Sequence, residues 1–493
     1  MPIPTYERLT VLDNTFLITE SKTNHMHVAG TATYEAGSLR TATGGIDVQR
    51  IRSYVESRLH LIPRYRQVLA YTPLEGHPVW VDDQHFNIEY HVRHASLPRP
   101  GDEDQLKGLS GRVMSQQLDR SKPLWEMWVV EGLEGGDRFA IVSKVHHCMV
   151  DGMASVDLLA VLLTIEPTDH ADPPVRWVPR PMPTWWQMLR AEATRRARTP
   201  LEAVSDFRQV LVDIRDPRSD IRTMWRAARG MLRSSLRTVS DTPLNKPIGP
   251  HRRFDWLVMD LTDVKNVRKR LGGSLNDVVL TTVAGAVQRF LEGRRVYVDF
   301  LDFRVMAPVS VRSAEEKGTL GNRVSAWIID LPLAERDPKK RLLKISETTA
   351  RLKETKQALG AEMLSRVAEW TPSTLLSLAS SMMTRALPFN LVVTNVPGPQ
   401  VPLYLLGARM LDNYGQVPLT DYLGLGIVLF SYAGKLCWGF NADWDLVPDL
   451  RDFVAAVEDA FRELQRLAGV PLTATPNAAA NRKPALTIAP APA

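Results

Sequence analysis

Apolar and polar positions along this chain follow two rhythms that replace one another repeatedly. Upstream, period-two alternation predicts strands at Met26–Glu35 and Phe86–Val92, and three-four spacing predicts a helix over Asp47–Leu59. Trp125–Gly132 and Arg138–Val145 read as a strand pair turned at Gly135-Gly136. Downstream, strands are predicted at Phe254–Leu261, Val298–Pro308, Arg323–Leu331, Asn390–Thr394, Gly424–Ser431 and Leu436–Asn441. Helices are predicted over Thr262–Leu271, Asn276–Glu292 and Pro448–Leu467. In the second of these, Val278, Val279, Thr282, Val283, Ala286 and Phe290 share one face. Met153–Ile165 reads as a buried helix, since an apolar run of about 13 residues containing Asp157 is too short to span a bilayer.

Prolines divide the pattern. Pro173, Pro174, Pro179, Pro181 and Pro183 open a segment that turns helical from Trp185 to about Thr238, with breaks near Pro200 and Pro217, and Pro243, Pro247 and Pro250 close it. The expected layout is an N-terminal unit over 1–172, a connector over 173–253, a C-terminal unit over 254–470 and a disordered Ala/Pro-rich tail over 471–493. Alternating strands and helices place both units in the α/β (α+β) class.

Charge sharpens the picture of the connector. The 493 residues carry 61 Lys or Arg and 55 Asp or Glu, a net of +6. Between Arg176 and Arg253 there are 17 basic and 7 acidic residues, so that segment carries +10 and the remainder −4. Around Trp225, the apolar Ile221, Met224, Ala228, Met231, Leu232 and Leu236 lie opposite Arg222, Arg226, Arg229, Arg233 and Arg237. A basic amphipathic helix of this kind suits an anionic membrane surface, and it equally suits a linker packed on its own protein. Nucleic acid is not expected as a partner, because no binding motif accompanies the charge. The start, Met1–Leu9, lacks a basic region followed by an apolar core, and no apolar run is long enough to cross a membrane, so a cytoplasmic, peripherally associated protein is expected. Two cysteines, Cys148 and Cys437, exclude a disulfide framework and a four-cysteine metal site.

Candidate chemistry concentrates in His146-His147-Cys148-Met149-Val150-Asp151-Gly152, at the exit of a predicted strand. Successive side chains of an extended chain face opposite ways, so His146 and His147 should not ligate one metal, and Cys148 should not pair with His147 as a nucleophile. No metal site is expected. What remains is one imidazole projecting as a base and the other turned inward as support, since neutral imidazole is a ready proton acceptor near pH 7. Asp151 reads as an orienting charge, paired with an arginine or capping the following helix, and Arg304 is a candidate partner.

This motif resembles the HHxxxDG signature of the chloramphenicol acetyltransferase-like superfamily. Further blocks resemble the bacterial wax ester synthase/diacylglycerol acyltransferase family in particular. They are Leu12-Asp13 with Phe16, Asn24–Val28, Pro123-Leu124-Trp125, Asn276-Asp277, Pro308–Arg312, Gly321-Asn322 and Asn395–Pro399, and they run in family order from about residue 9 to 467. The resemblance implies two similar mixed-sheet domains with a channel between them and the histidines at its middle. It implies transfer of a fatty acyl group from acyl-CoA, as co-substrate and not as a tightly bound cofactor, to diacylglycerol or a long-chain alcohol. By the same resemblance His147 is the general base, while His146 supports and Asp151 orients. Asn276 of the Asn-Asp block is the candidate oxyanion donor, with an N-cap of the following helix as its alternative role. The resemblance also leaves open an amine or a polyketide or glycolipid hydroxyl as acceptor, and a non-catalytic lipid-binding protein. A lipid-making enzyme would sit on a membrane or lipid-droplet surface.

Overall fold

The computed structural model describes residues 6–149, 161–170, 173–195, 239–310, 324–354 and 388–471. Fifteen strands lie within them. They are β1 (Glu7–Arg8), β2 (His27–Glu35), β3 (Gln67–Tyr71), β4 (Pro78–Asp82), β5 (Val92–Ser96), β6 (Trp125–Leu133), β7 (Arg138–His146), β8 (Arg252–Asp260), β9 (Arg304–Ser310), β10 (Val324–Asp330), β11 (Leu391–Pro397), β12 (Tyr404–Leu405), β13 (Ala408–Gln416), β14 (Leu425–Tyr432) and β15 (Lys435–Asp443). Two six-stranded mixed sheets result, ordered β12-β13-β2-β7-β6-β5 and β10-β9-β11-β14-β15-β8, with a small β1-β4-β3 sheet beside them. The class is α/β, as the pattern implies.

Most predicted elements appear within a residue or two. The β6–β7 pair turns through Glu134–Gly136, where Gly135 and Gly136 adopt φ of 70° and 98°. Such values suit glycine because a Cβ would clash with the backbone. Two expectations need correction. Phe86–Val92 is not a strand: the Asn87 side chain accepts from Glu89 N–H and starts a helical turn, Ile88–His91, so that β5 begins only at Val92. Strand β9 likewise begins at Arg304 and not at Val298, because Leu301 N–H closes a turn onto the Val298 carbonyl.

Several elements were not predicted, among them the Val11–Thr19 helix, the strands of the small β1-β4-β3 sheet and β12, and three others shape the core. The Glu103–Met114 helix is set by a capping box between Asp102 and Gln105. The Pro338–Glu354 helix packs beside Leu275–Gly293. The third is β13, which leaves the C-terminal half and pairs antiparallel with β2, Gly415 opposite Gly30 and Gln416 opposite Ala29. Two strands of the downstream half, β13 and the short β12 beside it, therefore complete the upstream sheet.

The C-terminal core forms where Leu275–Gly293 and Leu450–Ala468 pack on the second sheet, around Val283, Val287, Phe453, Val457 and Trp438. A separate apolar cluster joins the two sheets through Val113, Val142, Phe254, Trp256, Tyr414 and Cys437, with Trp256 and Tyr414 stacked at 4.6 Å. The sheets approach closely at Gly439, where an added Cβ would lie 2.1 Å from the Gly415 carbonyl oxygen. That neighbour is backbone and cannot turn aside. We expect Gly439→Ala to cost about 3 kcal/mol, measured by denaturant unfolding; unchanged stability would mean that the sheets are not held this closely.

Of the segment expected to be a connector, residues 173–195 are within the described residues, and a helix begins there at Trp185. The amphipathic stretch around Trp225, the Met153–Ile165 helix up to Ala160, and the tail from residue 472 lie outside them.

Candidate active site

The histidine turn is built from four pieces of chain. Strand β7 ends at His146, and His147–Met149 forms one 3-10 turn. On one side His146 N–H donates to the Leu124 carbonyl at 2.9 Å, and on the other His147 N–H donates to the Met26 carbonyl at 2.7 Å. The Pro123-Leu124-Trp125 block thereby holds the backbone of His146. Trp125 is itself buried, with its indole N–H on the Tyr65 carbonyl at 2.8 Å. The fourth piece is the Val11–Thr19 helix, whose Phe16 ring stacks on His147 at 4.0 Å between centroids and 27° between planes.

The two imidazoles have different surroundings. His146 is fully buried, and its Nδ1 accepts the Cys148 N–H at 3.1 Å. An acceptor Nδ1 places the proton of the neutral ring on Nε2, which faces the Glu20 carboxylate at 3.6 Å. His146 is thus hydrogen-bonded through Nδ1, while its Nε2 is turned toward Glu20 without a hydrogen bond among the described residues. His147 is half-buried, and its Nδ1 meets no hydrogen-bond partner among the described residues. Burial lowers its pKa to about 4, against a weaker opposing pull from its own backbone. The ring is therefore neutral at pH 7, with a lone pair for an incoming proton.

Behind this turn lies a polar cluster that sequence reasoning missed in part. The side chain of Glu20 is only 4% exposed, yet it gathers His27 Nε2 at 3.3 Å, His146, and the Arg120 guanidinium at 2.5 and 2.9 Å. Burial works to raise the Glu20 pKa, but His146 and His27 outweigh it and hold the carboxyl well below the usual range. His27, neutral at pH 7, is driven down to about 3 chiefly by burial. The local Asn24–Val28 pattern marked this region, but nothing in the spacing of Glu20 or Arg120 pointed to it.

Cys148 is buried, and burial pushes its thiol pKa well above the ordinary value, so no thiolate is present at neutral pH. Asn276 stands at the second position of the Leu275–Gly293 helix, half-buried. It is not the N-cap: Ser274 fills that place and forms a capping box with Asp277, whose carboxylate also accepts the Thr349 hydroxyl at 2.8 Å. The capping alternative for Asn276 is therefore excluded. Asp151 lies outside the described residues, while its suggested partner Arg304 contacts Asp302 and Asp330. Among the described residues there is no cluster of three or more His, Cys, Asp or Glu that could hold a metal, and no helix long and apolar enough to cross a membrane.

Residues 9–279 match the family model described as the wax ester synthase/diacylglycerol acyltransferase catalytic domain, and residues 320–465 match that family's C-terminal domain. The chain belongs to the wax ester synthase/diacylglycerol acyltransferase family. It is accordingly an acyltransferase. A Mycobacterium tuberculosis protein provisionally named as a diacylglycerol O-acyltransferase is 32% identical over 465 residues, spanning 93% of this chain and 90% of the relative. A second M. tuberculosis relative, provisionally named the diacylglycerol O-acyltransferase tgs1, is 33% identical over 92% of this chain and 95% of its own. The solved wax ester synthase/diacylglycerol acyltransferase from Marinobacter aquaeolei VT8 shares the fold, with a TM-score of 0.66 at 24% identity over 94% of this chain and 100% of that one. The starter condensation domain of rhizomide synthetase, solved with C8-CoA and Leu-SNAC, matches with a TM-score of 0.57 at 11% identity over 94% and 95%. The family and its two-sheet fold agree with what the histidine motif and the accompanying blocks imply.

Proposed function

We propose that this acyltransferase moves a fatty acyl group from acyl-CoA to the hydroxyl of diacylglycerol or of a long-chain alcohol, with His147 as general base and without a covalent enzyme intermediate. The observation that carries the reading is the contrast between His146, fully buried with Nδ1 on the Cys148 N–H and Nε2 turned toward Glu20, and the neutral, half-buried His147 stacked on Phe16. His147 takes the acceptor's hydroxyl proton as its oxygen bonds the thioester carbonyl carbon. The tetrahedral intermediate collapses by breaking the C–S bond, and the proton passes from His147 to the departing CoA thiolate. Asn276, with no hydrogen-bonded side-chain partner among the described residues, is the donor proposed for the oxyanion. Asp151 orients the turn. Direct transfer accords with the buried, protonated Cys148. The acceptor class is supported by the names of the mycobacterial relatives, and the CoA donor by the ligand of the rhizomide domain.

The test is incubation with labelled acyl-CoA and a panel containing diacylglycerol, hexadecanol and a long-chain amine. Ester products are expected from one or both hydroxyl acceptors. Amide alone would shift the reading to an amine acceptor, and no product with any acceptor would reduce the chain to a lipid-binding protein.

We also propose that the enzyme works at an anionic lipid surface through its connector. Val178, Met182, Trp185 and Trp186 are exposed at the start of this basic segment, and exposed tryptophans suit a membrane interface. Binding to vesicles of phosphatidylcholine with phosphatidylglycerol should weaken as salt rises, since such attraction is screened over about 8 Å at physiological ionic strength. Replacing Arg222, Arg226, Arg229 and Arg233 together should weaken it further; unchanged binding would leave the connector as a linker.

A further inference from the structure

Between Glu20 and His27, the two ends of the buried polar cluster, the chain makes a short loop over Ser21–Met26. Its interior is tied by Ser21 N–H on the Asn24 carbonyl at 2.9 Å and by Asn24 Nδ2 on the Thr19 carbonyl at 2.9 Å. Its last carbonyl, that of Met26, receives the His147 N–H. The orientation of the histidine turn therefore depends on where this loop sits.

A residue from the other sheet holds the loop. Arg252 opens β8, at the edge of the C-terminal sheet, and is only 3% exposed. Its Nη1 donates to the Gly249 carbonyl at 2.6 Å and the His251 carbonyl at 3.0 Å, and lies 3.7 Å from the Asp443 carboxylate. Its Nη2 reaches across to the Thr23 carbonyl at 2.5 Å. The Arg252 backbone is fixed to the N-terminal half as well, through its N–H on the Ser115 hydroxyl at 2.8 Å. A Cβ on Gly111 would come within 2.9 Å of the Arg252 carbonyl oxygen, so the two halves touch at this point. One planar guanidinium thus spans three carbonyls and a carboxylate, a task suited to a rigid fork and not to a single ammonium.

We infer that Arg252 is a positioning residue, which ties the C-terminal sheet to the Ser21–Met26 loop and so sets the register of the His147 turn for acyl transfer. The inference rests on the reading of His147 as the base. A misplacement of about 1 Å in reacting geometry costs on the order of 10²-fold in rate, so a loosened loop should lower turnover with the catalytic imidazole still present.

Arg252→Lys keeps a positive charge near Asp443 and Gly249 but cannot hold the Thr23 carbonyl at the same time. We expect its kcat to fall about 10- to 100-fold, with the KM for acyl-CoA within about 3-fold and the thermal midpoint little changed. The rate of carbethoxylation of His147 by diethyl pyrocarbonate, followed by mass spectrometry, should rise several-fold. Should Arg252→Lys fail to fold, Arg252→Met with Asp443→Asn removes both charges together and is read in the same way. A folded variant with wild-type kcat and an unchanged His147 modification rate would overturn the inference. Wild-type protein that transfers acyl groups to no acceptor would instead overturn the proposed function, and the His147 modification rates would still decide whether Arg252 positions the turn.

Discussion

Replacing His147 with alanine should reduce turnover by at least about 10²-fold and leave the fold intact. A positioned base contributes about 10²–10⁴-fold, and 10²-fold corresponds to about 2.7 kcal/mol in the barrier. The fold should survive because, among the described residues, Phe16 is the one ring that His147 stacks on, while its backbone N–H on Met26 is retained in the variant. The pH profile supplies a second readout. A base works when deprotonated, and the His147 pKa is lowered to about 4, so the acid limb of kcat/KM should appear near pH 4 and not near the ordinary imidazole value of 6.5. Near-normal turnover by folded His147→Ala would remove the residue from the chemistry. An acid limb near 6.5 would mean that the ring is already open to water in the free enzyme.

The division of labour between the two histidines was partly legible before the fold. Alternation along a strand puts neighbours on opposite sides, and His146 and His147 do meet different surroundings. The β6–β7 pair and the two long C-terminal helices were also legible, because burial on one face leaves a periodic trace. Long-range pairing leaves none. Strand β13 carries Asp412 and Asn413 in mid-strand, so its own pattern is weak, and what makes it a strand is β2, far upstream. Glu20 was invisible for the same reason, since its partners His27, Arg120 and His146 meet only in three dimensions. At Asn276 the local signal is ambiguous. An Asn before a helical run can cap it, but Ser274 followed by Asp277 makes the stronger capping pair. The Pro-Leu-Trp block shows the reverse case: a buried tryptophan is ordinary core, yet the Leu124 carbonyl beside it holds His146.

Glu20→Gln should cost about 3–5 kcal/mol, the usual loss when one member of a buried charged group is removed. The carboxylate is the shared anion for Arg120, His27 and His146, and an amide cannot accept from all of them. Its dependence on pH separates this effect from a simple packing defect. The Glu20 pKa in the folded protein lies below its ordinary 4.5, so its stabilisation is present above pH 4.5 and is lost as pH falls below it. Five histidines, His25, His27, His77, His91 and His147, are lowered chiefly by burial and act over a higher range. His27 is lowered to about 3, and His91 and His147 to about 4, each chiefly by burial. Below about pH 6.5 the unfolded chain protonates these rings and the folded one does not, so each costs stability as pH falls until its folded value is reached. The wild-type protein should therefore lose stability from about pH 6.5 downward and more steeply below about 4.5. In Glu20→Gln the upper slope should persist, because the histidines remain, while the extra steepening below 4.5 should shrink. Denaturant melts at several pH values measure both. If the steepening survives in Glu20→Gln, some other carboxylate carries it, and the cluster behind His147 is held by packing and not by that anion.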